Sequence, residues 1–188
     1  MGRNTKMSRL KDKFRSEVLP KVKEEFEIKN VMQLPRVTKI CVSMGMGKYH
    51  SDAKKIDHCA KELSAIVGQK ANRTTAKVSE AGFKIRQGMP VGVKVTLRGD
   101  KMWEFLDRFI TIAAPQIADF RGFSRKGFDQ KGNYSFGVNE QSIFPEVNLD
   151  KMEITQGMNI NVVFENSEKQ VSEKVLENLG FPFQRNKK

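Results

Sequence analysis

The sequence predicts an α+β fold, a largely antiparallel sheet with helices packed on one face and a protruding basic hairpin or loop. Three observations lead there. Stretches whose apolar residues recur every three or four positions are interspersed with stretches that alternate strictly. The alternating stretches are one-sided, apolar on one face and polar or basic on the other, which suits an antiparallel sheet with one open face. Residues Gln69–Gln87 are basic and hold few large apolar side chains, so this segment cannot bury itself and is expected as a long exposed hairpin or loop. At 188 residues and 38% hydrophobic, the chain can build the core of one compact domain.

The elements follow in order. Leu10–Phe26 reads as a helix, with Phe14, Val18, Val22 and Phe26 at spacing four and Pro20 set to kink or divide it. After Pro35, RVTKICVS alternates as a strand, with Val37, Lys39, Cys41 and Ser43 on one face. Asp52–Val67 is a second helix capped by Asp52; Ile56, Cys59, Ala60, Leu63, Ile66 and Val67 form its stripe, and Gly68 marks its exit. Val91, Val93, Val95 and Leu97 alternate with Gly92, Lys94, Thr96 and Arg98 in the clearest strand of the chain. Asp100 is placed to cap a third helix, in which Met102, Phe105, Leu106, Phe109 and Ile110 are core and Trp103 packs at the margin. RGFSRKGFDQKGN, residues 121–133, has no period and is a loop. Two strands follow, Tyr134–Val138 and Ile154–Phe164. The last helix starts at a Ser167/Gln170 capping box and stops at Gly180.

Lys and Arg number 34 against 22 Asp and Glu, a formal net charge of +12. The excess is uneven: residues 70–101 carry +6 and residues 134–184 carry −5. A basic centre and an acidic C-terminal third point to one face for a polyanion and another for a different partner. No run approaches 18 apolar residues and the start MGRNTKMSRLKDKF lacks a secretory apolar stretch, so a soluble, intracellular protein without a membrane partner is expected. Cys41 and Cys59 make no CxxC pair and read as reduced thiols.

Catalytic and cofactor patterns fail on spacing. In SMGMGKYHS, Gly45 and Gly47 are two apart and Lys48 precedes Tyr49, which is neither a Walker loop nor GxGxxG; a glycine-permitted turn is the better account. His58 and Cys59 are adjacent and project about 100° apart on a helix, so with His50 and Cys41 they make no zinc set. No nucleophile, base and oxyanion donor assemble in the sequence, and neither an enzyme nor a cofactor is expected. The basic segment Ala81–Phe105 remains. Lys84, Arg86, Lys94 and Arg98 can pair with phosphates, and Thr96 shares their polar strand face, a platform on which folded RNA can lie. Chemistry alone gives a nucleic-acid binder, with RNA favoured over DNA and a generic basic nucleic-acid chaperone as the alternative.

Nine strings then fall in one order: MQLPRVTKI (32–40), SMGMG (43–47), GQK (68–70), AGFKIRQG (81–88), KVTLRG (94–99), MWEFLDR (102–108), DFRG (119–122), GNYS (132–135) and FPE (144–146). Together they resemble the bacterial-type 5S rRNA-binding protein family of the large ribosomal subunit, universal family five. The resemblance implies one ribosomal-protein domain over residues 7–183, with 1–6 a disordered extension and 184–188 a basic tail. It further implies attachment of 5S rRNA in the central protuberance through the exposed sheet face, with Gln69 and Thr96 as contacts and Lys94 and Arg98 beside them. Ser43 is implied as the third 5S rRNA contact, at a position where the family normally has asparagine. The protruding hairpin, Asn72–Glu80, is implied to approach the peptidyl-site tRNA through Arg73, Thr74, Thr75, Lys77 and Ser79. Lys84, Arg86, Arg121, Arg125 and Lys126 are expected on other rRNA phosphates, 23S rRNA included. The acidic region after Tyr134 is expected to face a basic small-subunit head protein in an inter-subunit bridge, by charge complementarity. A cytoplasmic, ribosomal location follows.

Overall fold

The computed structural model of the chain describes residues 8–49 and 51–184, with the backbone alone at Lys151. His50, residues 1–6 of the expected extension and residues 185–188 of the expected tail lie outside the described residues. Five strands, β1 (Arg36–Gly45), β2 (Asn72–Thr75), β3 (Pro90–Leu97), β4 (Tyr134–Val138) and β5 (Met158–Glu165), form an open antiparallel sheet in the order β2-β3-β1-β5-β4. Four helices accompany it. Helix α1 runs continuously through Arg9–Lys13, Phe14–Val18 and Leu19–Glu25; α2 is Ala53–Val67; α3 is Gly99–Arg108 continued by Phe109–Ala113; α4 is Lys169–Leu179. The predicted α+β class therefore holds. No helix among the described residues is long and apolar enough to cross a membrane.

The chain clusters into two compact units. The first draws on Met1–Ile40, Arg98–Phe136 and Asn161–Lys188, the second on Cys41–Leu97 and Gly137–Ile160. In the first unit α1 packs with α3 and α4. Phe14 of α1 meets Trp103 of α3 at 5.0 Å between ring centroids, which buries the indole rather than leaving it at the margin. Pro20 cannot donate a backbone hydrogen bond, and the helix widens before it: Phe14–Val18 is π-helical, with the Leu19 N–H bonding the Phe14 carbonyl. Phe105, Phe109, Phe123, Tyr134, Phe136 and Phe181 form a continuous aromatic core. Its edges are tied by the Tyr134 hydroxyl donating to the Ser124 carbonyl at 2.9 Å and by a parallel bridge between Phe123 and Phe183.

In the second unit α2 buries Ile56, Cys59, Leu63, Ile66 and Val67 and packs against β3. Val93, Val95 and Leu97 are the buried side of β3, and Val42 and Met44 that of β1. Strand β2 pairs with β3 in the register Asn72 to Lys94, Arg73 to Val93 and Thr74 to Gly92. Gly92 is required there: a Cβ at this position would sit 2.8 Å from the Met44 carbonyl oxygen and 3.0 Å from Thr74 Oγ1.

Several local expectations fail for one shared reason, that the cap side chain has a nearer partner. Asp52 sits at the N-cap of α2 without a side-chain cap and pairs with Lys55 at 3.2 Å. Asp100 lies inside the first turn of α3 and pairs with Lys11 at 2.6 Å, leaving Arg98 at the N-cap. Ser167 shares a 2.7 Å hydrogen bond with Ser172, and α4 starts at Lys169 instead. Apart from the caps, strand β5 begins at Met158, later than the expected Ile154; just ahead of it Gln156 donates to the Gly45 carbonyl at 3.0 Å, and a Cβ on Gly157 would sit 2.9 Å from the Val138 carbonyl oxygen. The exit glycines do stand in left-handed conformations, Gly68 at φ 66° and Gly180 at φ 93°.

Candidate nucleic-acid interface

The face of the second unit opposite α2 carries the side chains that sequence reasoning singled out. Alternation fixes it: with Val93, Val95 and Leu97 buried, Lys94 and Thr96 must point the other way, and with Val42 and Met44 buried so must Cys41 and Ser43. Lys94 is exposed, and Ser43, Thr96 and Cys41 are half-buried. Thr96 Oγ1 lies 3.7 Å from Cys41 Sγ across the two strands. Gln69 follows the αL exit of α2 and donates from Nε2 to the Thr96 carbonyl at 3.2 Å, so the helix exit is fastened to the strand beside the face. Ser43, Gln69, Lys94 and Thr96 therefore belong to one unit, and Arg98, exposed at the N-cap of α3, follows β3 directly.

The expected basic hairpin rises from the same unit. Its base is the β2/β3 pair, its middle is held by Ala76 N–H to the Met89 carbonyl at 2.8 Å and Gln87 N–H to Ser79 Oγ at 2.9 Å, and its tip by the Glu80/Ile85 bridge. Between the bridge residues, Ala81–Phe83 makes a 3-10 turn closed by Lys84 at φ 55°. Thr75, Lys77, Ser79, Lys84 and Arg86 are exposed and Thr74 is half-buried. Arg73 is drawn back onto α2, its guanidinium 2.5 Å from Asp57 Oδ1. Sequence reasoning missed the Asp57 partner, and it placed Phe83, which stands 74% exposed, in the exposed hairpin without giving it a role.

Arg121, Arg125 and Lys126 lie in the other unit. Arg121 and Lys126 are exposed, but Arg125 is committed internally. Its guanidinium binds Glu173 and, at 3.2 Å, Glu177 of α4, and stacks over Phe183 at 5.1 Å. The Arg125 hydrogen bond, with Lys174 assisting, holds the Glu177 carboxyl below its usual range.

Behind the face, the chemistry is structural. Burial pushes the Cys59 thiol up to about 11, leaving it protonated at neutral pH. Glu62 of α2 is only 11% exposed and accepts from Gln141 Nε2 at 2.7 Å, with His58 at 3.5 Å. Its burial raises the carboxyl pKa and Glu153 adds to the rise, against the opposing pull of His58 and the Gln141 hydrogen bond. A carboxyl whose folded pKa is raised stabilises the fold fully below its unfolded pKa and loses that contribution as pH rises through the folded value. Glu62→Gln is therefore expected to flatten the pH dependence of stability and to be more stable than the parent above that pH. Urea midpoints from about pH 4 to pH 8 check this against the reference carboxyl value of about 4.3. Among the described residues no three His, Cys, Asp or Glu side chains gather as a metal-binding group. Gly45 to Tyr49 is a turn between β1 and α2, in which Met46 is fully buried and its N–H bonds the Val91 carbonyl.

Comparison with known proteins converges on one family. The profile described as ribosomal protein L5 matches residues 30–86, and a second profile, described as the C-terminus of the same ribosomal family, matches residues 90–183. A large ribosomal subunit protein uL5 of Geobacter sulfurreducens is 50% identical over 177 residues, covering 94% of this chain and 99% of that protein. Proteins of the same name from Corynebacterium urealyticum and Thermobifida fusca are each 51% identical over 175 residues, covering 93% of this chain and 91% and 92% of theirs. The chain belongs to the ribosomal protein L5 family, whose members are structural proteins of the ribosome and not enzymes.

Proposed function

We propose that the chain is a structural constituent of the cytoplasmic large ribosomal subunit that holds 5S rRNA in the central protuberance on the open face of β1 and β3. One observation carries this: Ser43, Lys94 and Thr96 share an unburied strand face, and Gln69 is fastened to its edge. Such a face offers hydroxyl and amide groups to ribose and base edges while its cations engage phosphate. The hairpin 72–89 extends the basic surface towards the peptidyl-site tRNA, and Arg121 and Lys126 serve 23S rRNA phosphates. Arg125 is kept for the fold. Glu140, Glu146, Asp150 and Glu153, all exposed on the second unit, are the acids that meet a basic small-subunit head protein in the inter-subunit bridge.

Filter binding of 5S rRNA across a salt series tests this. Affinity should fall steeply with salt, and Lys94→Ala should reduce the magnitude of the log–log slope by about 1. Thr96→Ala and Gln69→Ala should weaken 5S rRNA binding while leaving the slope unchanged. A flat salt response, or equal affinity for tRNA, duplex DNA and 5S rRNA, would sink the proposal. If the two neutral variants bind as the parent does, charge alone is at work, as in a generic nucleic-acid chaperone.

A further inference from the structure

The hairpin tip presents an aromatic ring to solvent where the fold has no use for one. Among the 13 phenylalanines, all within the described residues, Phe83 is the one in the exposed class, at 74%; the others are buried or half-buried. Its backbone is not slack. The Glu80 N–H bonds the Ile85 carbonyl at 2.9 Å, the Ile85 N–H returns to the Glu80 carbonyl at 3.1 Å, and the Lys84 N–H reaches Ala81 at 3.1 Å. The ring is thus carried on a closed four-residue turn, which lowers the entropy lost when it is fixed against a partner. Space beside it is open: a Cβ built on Gly82 meets only the Glu80 carboxylate, at 3.7 Å.

The surroundings decide the chemistry of that partner. Exposed Lys77, Lys84 and Arg86 share the hairpin with the ring, and Glu80 is its one acid, so residues 72–89 carry four bases against one acid. A basic protein surface would be repelled here, and a neutral apolar surface would leave the cations without a use. An unstacked nucleobase satisfies both features, since its π-face takes the phenyl ring and its flanking phosphates take the ammonium and guanidinium groups. Paired stems hide their base faces, so the partner is a loop nucleotide.

We infer that Phe83 is a base-stacking residue that takes the face of an unstacked nucleotide in a loop of the peptidyl-site tRNA, with Lys84 and Arg86 on its phosphates. This rests on the proposed tRNA contact of the hairpin. The test uses large subunits assembled with the full-length chain, joined to small subunits, and follows dissociation of deacylated tRNA from the peptidyl site. Phe83→Ala and Phe83→Leu should each speed dissociation about fivefold or more, and Phe83→Trp should match or slow the parent rate. Rescue by leucine would show an apolar contact and overturn stacking. Parent-like tRNA release by Phe83→Ala, while Lys84→Ala and Arg86→Ala release tRNA faster, would overturn the stacking alone. Parent-like release by all of these variants would remove the hairpin contact itself. Weaker retention of the Phe83→Ala chain on tRNA-free subunits, with tRNA release unchanged, would assign the base to rRNA and overturn the assignment to tRNA.

Discussion

Phe109→Ala is expected to destabilise the protein by about 3–5 kcal/mol, the usual cost of emptying a buried phenylalanine site. Phe109 is fully buried, with ring centroids at 5.1 Å to Phe136, 5.7 Å to Phe123, 6.1 Å to Phe181 and 6.4 Å to Phe105. These aromatic neighbours come from α3 itself, the loop after it, β4 and the segment after α4. No single one of these can move to fill the cavity without opening another contact, so little relaxation is available. Against a total of about 5–15 kcal/mol, the loss takes much of the stability. Thermal unfolding should shift down by roughly 6–20 °C, at about 2–4 °C per kcal/mol for a chain of this size. Phe109→Leu should recover most of it, and a shift for Phe109→Ala under about 3 °C would show that the cluster is looser than its packing implies.

Gly122→Ala is expected to be nearly as damaging, by a different route. Gly122 stands at φ 92°, where a side chain is strained, and an added Cβ would lie 2.6 Å from the Gln184 nitrogen and the Phe183 carbonyl carbon. Those atoms belong to the backbone pairing in which the Phe123 N–H bonds the Pro182 carbonyl at 2.9 Å and the Gln184 N–H bonds the Phe123 carbonyl at 3.0 Å. Strain of about 1–3 kcal/mol and overpacking of about 1–3 kcal/mol add, for a loss near 4 kcal/mol. Gly88 supplies the control. It has φ 85° but nothing within 4 Å of its Cβ position, so Gly88→Ala should show the strain alone. Equal urea midpoints for the two variants would mean that the close approach of the C-terminal segment contributes nothing.

What the amino-acid order reveals about this fold depends on whether the deciding partner is near in sequence. Strand β3 announces itself because Val93, Val95 and Leu97 are buried at every second position, and α2 and α4 end where glycine takes a left-handed conformation. Strand β2 does not, because Asn72–Thr75 has no apolar alternation and is extended only by pairing with β3. Helix caps escape a local reading where a distant charge intervenes, as Lys11 does for Asp100. The candidate site divides in the same way. Lys94 and Thr96 follow from strand parity and Gln69 only from the family resemblance, whereas the withdrawal of Arg125 into the fold needs Glu173 and Glu177, far along the chain. Phe83 falls in the segment expected to be exposed, but a single ring without a periodic pattern carries no sign of its role.

The contact between Cys41 and Thr96 places a sulfur atom on the open strand face itself, while Cys59, the other thiol, is fully buried behind it with its pKa raised to about 11. Alkylating reagents act on thiolate that solvent can reach, so they discriminate sharply between the two positions. The molecule consequently carries its own chemical footprint. Labelling at one native side chain reports whether the face is covered, without any substitution and in the assembled particle as readily as in the free chain.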